Sequence, residues 1–82
     1  MFHVYVLRSE STGRYYFGST SGLERRLAEH NADLATATKH RGPWRLVDAE
    51  EHATRGEAMR RERYFKTGEG RREIQAILGN AG

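Results

Sequence analysis

Residues 2–20 read FHVYVLRSESTGRYYFGST and carry the strongest local pattern in the chain. From Phe2 to Leu7, aromatic and β-branched residues alternate over a length typical of a β-strand, and Arg14–Phe17 resumes the pattern. The segment between them is polar and includes Gly13, a residue type that is common in tight turns. The stretch therefore predicts a β-hairpin with Gly13 in its turn.

The chain that follows predicts a helix, a loop and a third strand. Ser21 and Glu24 have the spacing of a capping box, in which a hydroxyl and a carboxylate satisfy free amide groups at a helix start. We therefore expect a first helix from Ser21 to about Asn31. Residues 32–43 are polar and hold the only proline, which indicates a loop. Trp44–Glu50 suits a strand.

Two further helices are predicted in the last third of the chain. Thr54 and Glu57 repeat the capping-box spacing and should begin a second helix, which Gly68 should stop. Residues 71–78 predict a short third helix because their apolar residues recur at helical spacing, at Ile74, Ile77 and Leu78.

The order strand-strand-helix-strand-helix-helix indicates an α+β domain in which a small antiparallel sheet is covered by helices. The chain has 82 residues, of which 37% are hydrophobic and 30% charged, so it has room for one globular core. We place a single domain at residues 1–78 and a flexible tail at residues 79–82.

The composition also excludes several classes of protein. The chain has no cysteine, which excludes disulfides and thiolate zinc sites. It has no run near the roughly 20 apolar residues that a membrane-spanning helix needs, and its N-terminus lacks a signal-peptide pattern. We therefore expect a cytoplasmic protein without a membrane partner. The sequence leaves the oligomeric state open.

Basic residues are clustered along the chain. The net charge is +3, yet Lys39–Arg45 holds three basic residues and no acid, while residues 55–72 hold seven basic residues against three acids. Clustered cations attract a phosphate backbone through counterion release. A solvated helix face would give the same pattern. If the partner is nucleic acid, we expect contacts from Lys39, Arg41, Arg45, Arg60 and Lys66.

Glu62 is an acid in an apolar position of the second helix. At 100° per residue it falls inside the stripe formed by Ala58, Met59 and Phe65. Burying an unpaired carboxylate costs on the order of several kcal/mol, so such a residue usually has a partner. That partner could be a neighbouring arginine, a cation, or the solvent at the rim of a cleft.

Other polar and aromatic residues also suggest a site. Arg26 and His30 are four residues apart on the first helix, so both can point toward one external target, although a solvated face explains the pair as well. Tyr5 and Tyr16 lie on the two arms of the hairpin, where cross-strand neighbours bring phenols together, although isolated tyrosines are more often core. Gly18 suits a bend, a close ligand approach or a plain turn.

The combination of these residue types is similar to the one found in a known protein family. A carboxylate, an arginine, an imidazole and two phenols could serve phosphodiester hydrolysis. The chain resembles the GIY-YIG nuclease family, whose two name-giving elements correspond to HVY at residues 3–5 and YFG at residues 16–18. The resemblance continues in order through LERRLAEHN at residues 23–31, PWRLV at residues 43–47 and EAMRRERYFK at residues 57–66.

The resemblance implies a fold and a set of roles. The fold would be a three-stranded antiparallel sheet flanked by α-helices, with a site between the hairpin, the first helix and the second helix. Glu62 would be the single protein ligand of Mg²⁺ or Mn²⁺, with water completing the coordination. Arg26 would contact the scissile phosphate through its planar fork.

The same resemblance assigns the remaining polar residues. Tyr5 or Tyr16 would take a proton from the attacking water, which requires a nearby cation to lower a phenol pKa of about 10. His30 would help to orient water, phosphate or the leaving oxygen. His3 stands where the family's first motif has glycine, and the segment after Lys66 lacks an asparagine that some relatives have.

Three functions therefore compete. The leading hypothesis is a metal-dependent endonuclease that hydrolyses DNA in repair or processing. We expect structure-specific or single-stranded substrates, because the chain has no room for a separate recognition domain. The second hypothesis is a non-catalytic nucleic-acid-binding module of the same fold. The third is a protein-interaction domain with an acidic partner.

Overall fold

The hairpin predicted from residues 2–20 is present. The computed structural model describes residues 1–35 and 38–79. Strands β1 (Phe2–Ser9) and β2 (Tyr15–Thr20) pair in antiparallel register, and Gly13 has a φ of 75° in the turn between them. This left-handed conformation strongly favours glycine. Strand β3 (Trp44–His52) pairs antiparallel with the other edge of β1, which gives the order β2-β1-β3.

Three helices complete the fold: α1 (Leu23–Asn31), α2 (Arg55–Phe65) and α3 (Gly68–Gly79). The predicted α+β class with a three-stranded antiparallel sheet is therefore confirmed. No helix in the described part of the chain is long and apolar enough to cross a membrane.

The sheet is covered on both faces. Even-numbered residues of β1 face α2 and α3, in a core of Val4, Val6, Phe17, Ala58, Phe65 and Ile74. Odd-numbered residues face α1, in a core of Tyr5, Leu7 and Trp44 that also contacts Leu23 and Leu27. Burying each large apolar side chain contributes about 1.5–3 kcal/mol. Because side chains alternate along a strand, the two tyrosines of interest belong to the α1 face.

The two capping boxes have different outcomes. The Thr54 hydroxyl accepts a hydrogen bond from the Glu57 amide at 3.1 Å, so the start of α2 is confirmed. The prediction for α1 is wrong, since its N-cap is Gly22 and no side chain caps it. The amide of Gly22 instead donates to the Thr20 hydroxyl at 3.1 Å.

The boundary between the last two helices was also predicted wrongly. Helix α2 ends at Phe65, and Gly68 begins α3 rather than stopping α2. The Thr67 hydroxyl accepts a hydrogen bond from the Gly70 amide at 3.1 Å, which is a side-chain cap for α3. Gly79 lies in α3 and not in a tail, while residues 80–82 lie outside the described residues.

The apolar stripe of α2 differs from the predicted one. Ala58 and Phe65 are buried, but Met59 is exposed. Arg61 occupies the inner face instead, with its guanidinium 4.3 Å from the Phe65 ring centroid. Glu62 therefore lies at the edge of the buried face rather than in its middle.

Candidate active site

The two phenols predicted to meet on the hairpin lie on the α1 face of the sheet. Tyr5 pairs with Gly18, and Tyr16 pairs with Leu7, so the tyrosines are diagonal neighbours across the two strands. Their ring centroids are 6.4 Å apart. Tyr5 is buried and Tyr16 is half-buried. The predicted approach of the phenols is confirmed.

Gly18 gives the Tyr5 ring its space. A Cβ atom on Gly18 would lie 2.4 Å from both the Tyr5 hydroxyl oxygen and the Cζ atom that carries it. Gly18 is inside β2 and is not a turn residue. The glycine is therefore needed because a phenol lies directly against the strand, a reason that differs from those offered by the sequence.

His30 is buried behind Tyr5. Its Nε2 lies 2.9 Å from the Tyr5 hydroxyl, and its Nδ1 lies 2.6 Å from the Thr38 hydroxyl. A neutral imidazole has one donor and one acceptor nitrogen, so one of these two hydroxyls donates to the ring and the other accepts from it, according to the tautomer. Burial, and then the charge of Arg26, lower the pKa of His30. The ring is therefore neutral at pH 7, and the expectation that it points outward is wrong.

Arg26 lies at the opening of the same cluster. Its Nη1 atom donates to Glu29 Oε1 at 3.1 Å, and its side chain is partly exposed. The hydrogen bond with Glu29, followed by one with Tyr5, raises the pKa of Arg26. A permanently charged guanidinium thus borders the tyrosines, one turn before His30.

The phenol of Tyr5 is held protonated. Burial raises its pKa, while the neighbouring Arg26 partly opposes that rise. The sequence led us to expect that a cation would lower a tyrosine pKa, and for Tyr5 the cost of desolvating the phenolate outweighs the cation. Tyr5 therefore ionises only if another group takes its proton, and His30 Nε2 is within hydrogen-bonding distance.

Glu62 reaches β2 from the α2 side of the sheet, because its partner Ser19 pairs with Val4 of the face that α2 and α3 cover. Its Oε1 accepts a hydrogen bond from the Ser19 hydroxyl at 2.9 Å, and its Oε2 accepts one from Lys66 Nζ at 3.0 Å. The Glu62 side chain is 22% exposed and that of Lys66 is 53% exposed. Among the described residues the charged partner of Glu62 is a lysine, and not the neighbouring arginine that the sequence offered as one alternative. Its charge is close enough to Tyr5 to oppose ionisation of the phenol.

Comparison with known proteins identifies the family. The GIY-YIG catalytic domain matches residues 1–75. The chain belongs to the GIY-YIG family. The geometry above is therefore that of the catalytic domain of a family that is generally composed of nucleases.

Relatives of this GIY-YIG domain include UPF0213 proteins. One from Halobacterium salinarum is 48% identical over 67 residues, which cover 80% of this chain and 86% of the relative. Another, from Staphylococcus haemolyticus, is 37% identical over 76 residues and 92% of each chain. The solution NMR structure of a UPF0213 protein from Bacillus halodurans has a TM-score of 0.57 and 31% identity, and covers 94% of this chain and 85% of that one.

The GIY-YIG domain offers a limited set of metal ligands. No group of three or more His, Cys, Asp or Glu side chains that could hold an ion occurs within residues 1–35 and 38–79. Glu62 supplies hard carboxylate oxygens, and Mg²⁺ is commonly bound through one or two carboxylates with water in the other positions. The donor set therefore fits such an ion, provided that Lys66, which is largely exposed, releases Oε2.

The first motif of this member places a histidine beside the site. His3 lies two residues before Tyr5, on the same face of β1, and pairs with Thr20 and Glu51 across the sheet. Its Nε2 is 3.7 Å from Glu51 Oε1, while its Nδ1 is buried without a hydrogen-bond partner in the described part of the chain. An imidazole therefore occupies space that a glycine would leave open.

The five basic residues predicted to contact nucleic acid are all exposed and lie on different elements of the fold. Lys39 and Arg41 lie in the loop between α1 and β3. Arg45 pairs with Arg8, on the sheet face away from Tyr5. Arg60 bonds back to the Gly56 carbonyl, and Lys66 pairs with Glu62. Their contact with nucleic acid stays a prediction.

Two polar residues of the cluster were missed by sequence reasoning. Ser19 holds Glu62, and Thr38 holds His30. Each is a single hydroxyl in a polar segment, and its partner is identified only by the folded chain. Ser19 follows the second motif directly, and this proximity was the one local signal available for either residue.

Proposed function

We propose that this domain is a metal-dependent endonuclease that hydrolyses phosphodiester bonds in DNA. The observation that carries the proposal is the approach of Tyr5, Tyr16 and Arg26 on the α1 face of the hairpin, with the Glu62 carboxylate close enough to raise the pKa of Tyr5. The enzyme would recognise particular DNA structures or single-stranded DNA, and would act in DNA repair or processing. The reaction would take place in the cytoplasm.

The arginine would bind the scissile phosphate. A guanidinium can pair with two phosphate oxygens and stabilise the negative charge that develops during the displacement. Arg26 is partly exposed, and its contact with Glu29 is a surface ion pair of small net strength, so a phosphate can displace it at little cost.

The tyrosine and the histidine would move the proton. In the tautomer that carries its proton on Nδ1, Tyr5 would donate to the neutral His30 Nε2, and the phenol would accept a proton from water as it passes its own to the imidazole. In that tautomer His30 Nδ1–H would donate to the Thr38 hydroxyl, which lies 2.6 Å away. Tyr16 is half-buried, with its ring centroid 5.0 Å from that of His30, and would line the side open to substrate.

Glu62 would hold the metal ion. When bound, Mg²⁺ or Mn²⁺ would neutralise charge on the phosphate oxygens. Ser19 fixes the orientation of the carboxylate, and Lys66 would have to move away from Oε2.

The alternative is a non-catalytic module that binds nucleic acid. The ion pair between Glu62 and Lys66 favours it, because the ammonium occupies one of the two oxygens that a metal would use. The raised pKa of Tyr5 also favours it, since a protonated phenol is a poor base.

A nuclease screen tests the proposal. Labelled single-stranded, duplex and branched DNA would be incubated with the protein, with and without Mg²⁺ or Mn²⁺, and separated on denaturing gels. We expect cleavage that depends on the metal and is lost in Glu62→Gln. Glu57→Gln, which changes an exposed carboxylate on the same helix, should cleave like the wild type. Undiminished cleavage by Glu62→Gln contradicts the metal role, and binding without cleavage of any DNA supports the module.

A further inference from the structure

A row of arginine and tyrosine crosses the sheet on the side away from Tyr5. Arg8 of β1 pairs with Tyr15 of β2 and with Arg45 of β3. Arg8 is an even-numbered residue of β1 and therefore lies on the same face as Val4 and Val6. The row is thus on the face that α2 and α3 cover. All three side chains of the row are exposed, so the helices leave this end of the face open.

Two neighbouring pockets open along this row. One has a volume of about 400 Å³ and is lined by Arg14, Tyr15, Phe17, Arg71, Ile74 and Gln75. The other has a volume of about 260 Å³ and is lined by Arg8, Ser9, Glu10, Gly13 and Arg45. Arg8 joins them, since its guanidinium carbon lies 5.9 Å from the Tyr15 ring centroid. We call the residues that line the two pockets the Tyr15 surface.

The Tyr15 surface is strongly basic. It holds four arginines, Arg8, Arg14, Arg45 and Arg71, against one acid, Glu10. None of the four takes part in an ion pair within residues 1–35 and 38–79. Arg8 and Arg45 even lie directly opposite each other, an arrangement that destabilises a sheet. An anion bound between these arginines would remove that repulsion.

The pocket walls point to the class of anion. Tyr15 is 38% exposed and lines the same pocket as Arg14 and Arg71, while the buried side chains of Phe17 and Ile74 form the back of that pocket. Cations along a groove together with an accessible aromatic ring are the features that bind unpaired bases and their phosphates. A cavity of about 400 Å³ is within the range of small-ligand sites and has room for about one nucleotide.

We propose that the Tyr15 surface binds a single-stranded nucleic-acid segment, with a base stacked on Tyr15 and phosphates held by Arg14, Arg71 and Arg8. This site lies on the opposite sheet face from the tyrosine and histidine cluster. It does not depend on cleavage, because a chain that hydrolyses nothing would still bind there.

Binding of a fluorescein-labelled oligothymidylate of about ten nucleotides tests the proposal, since comparable sites span about 4–16 nucleotides. Fluorescence anisotropy would be measured with the full chain in EDTA, where metal-dependent cleavage is absent, at several salt concentrations. We expect Arg14→Gln with Arg71→Gln to weaken binding at least tenfold and to reduce the salt slope by about 1.4, or about 0.7 for each lost phosphate contact. Tyr15→Leu should weaken binding about tenfold at an unchanged slope.

The matched control is Arg55→Gln with Arg63→Gln. It removes the same charge from exposed positions of α2 that line neither pocket, and we expect a loss of less than threefold. Equal losses in both double variants overturn the proposal, because charge alone would then explain binding. An unaltered affinity of Tyr15→Leu, tighter binding of the matching duplex, or equal displacement by polyglutamate would overturn it too. Circular dichroism and thermal unfolding verify that each variant is folded.

Discussion

At the scale of single residues, the contact between Gly18 and Tyr5 sets the position of the phenol. A methyl group on Gly18 would lie 2.4 Å from the hydroxyl of Tyr5, well inside van der Waals contact. We expect Gly18→Ala to displace the Tyr5 ring and to lower the free energy of unfolding by about 1–3 kcal/mol, as overpacking does in other cores. Urea unfolding measures the change.

Gly56 provides the control for that substitution. It lies in the first turn of α2, and a Cβ atom there would meet nothing within 4 Å. Gly56→Ala should leave stability unchanged or raise it by up to about 1 kcal/mol, because alanine favours the helix. If both glycine variants had the same stability, the Gly18 contact would not constrain Tyr5.

The buried imidazole of His30 should make stability depend on pH. Its pKa is lowered in the folded state, first by burial and then by Arg26, so the unfolded chain binds more protons below about pH 6.5. The contribution of His30 is therefore complete above about pH 6.5 and is lost as the pH falls through the folded pKa. Urea midpoints between about pH 4 and pH 7.5 should decline on acidification for this reason.

Two histidine variants isolate that effect. His30→Gln should be less stable at neutral pH and should show a smaller decline on acidification. His40→Gln, which alters an exposed histidine, should keep the slope of the wild type. An unchanged slope in His30→Gln would mean that other groups, such as Glu50 with its lowered pKa beside Arg61, cause the acid sensitivity.

Residue types could be predicted from the sequence better than their contacts. The sequence predicts Tyr5 and Tyr16 on one face because strand alternation is regular, and it indicates a site at Glu62 because an acid interrupts an apolar stripe. His30 was expected to face outward, since helical spacing gives its direction around α1 but not what covers it. Thr38, which holds His30, lies in a loop whose path only the folded chain defines.

At the scale of secondary structure, two helix starts with the same sequence spacing differ in their caps. A side-chain hydrogen bond caps α2, and none caps α1. Thr54 caps α2 through the Glu57 amide, whereas Ser21 lies before Gly22 and caps nothing. We expect Thr54→Ala to destabilise the protein by about 1 kcal/mol and Ser21→Ala to change its stability by less than about 0.5 kcal/mol. Thermal unfolding of the two variants checks this, and equal effects would refute the assignment of the caps.

The helix boundary at Gly68 could not be predicted from local pattern. Two nearby glycines suggest a break, and the chain does leave α2 there, but Thr67 immediately caps a new helix. Gly70 is required by close packing of the helices, because a Cβ atom on it would lie 1.9 Å from the Tyr64 carbonyl oxygen. Such a glycine has the same local signal as one that ends a helix.

At the scale of the whole molecule, Arg61 connects three elements on the side of the sheet away from α1. It donates to Glu50 of β3 at 2.9 and 3.0 Å and to Glu73 of α3, and its guanidinium lies over the Phe65 ring. The hydrogen bond from Arg61 lowers the pKa of Glu50, so this pair adds stability above about pH 4.5 that is lost as the pH falls. The side chains of Arg61 and Glu50 are 28% and 26% exposed.

Removing this arginine should therefore weaken the whole domain rather than one helix. Arg61→Gln would leave two partly buried carboxylates without their shared cation, and we expect a loss of about 1–3 kcal/mol in the free energy of unfolding. Arg60→Gln, at the exposed neighbouring position, should cost less than about 0.5 kcal/mol. Hydrogen exchange of the amides in β3 and α3 should accelerate together in Arg61→Gln, because one guanidinium holds both. If exchange accelerated in α3 alone, Arg61 would not couple the sheet to the last helix.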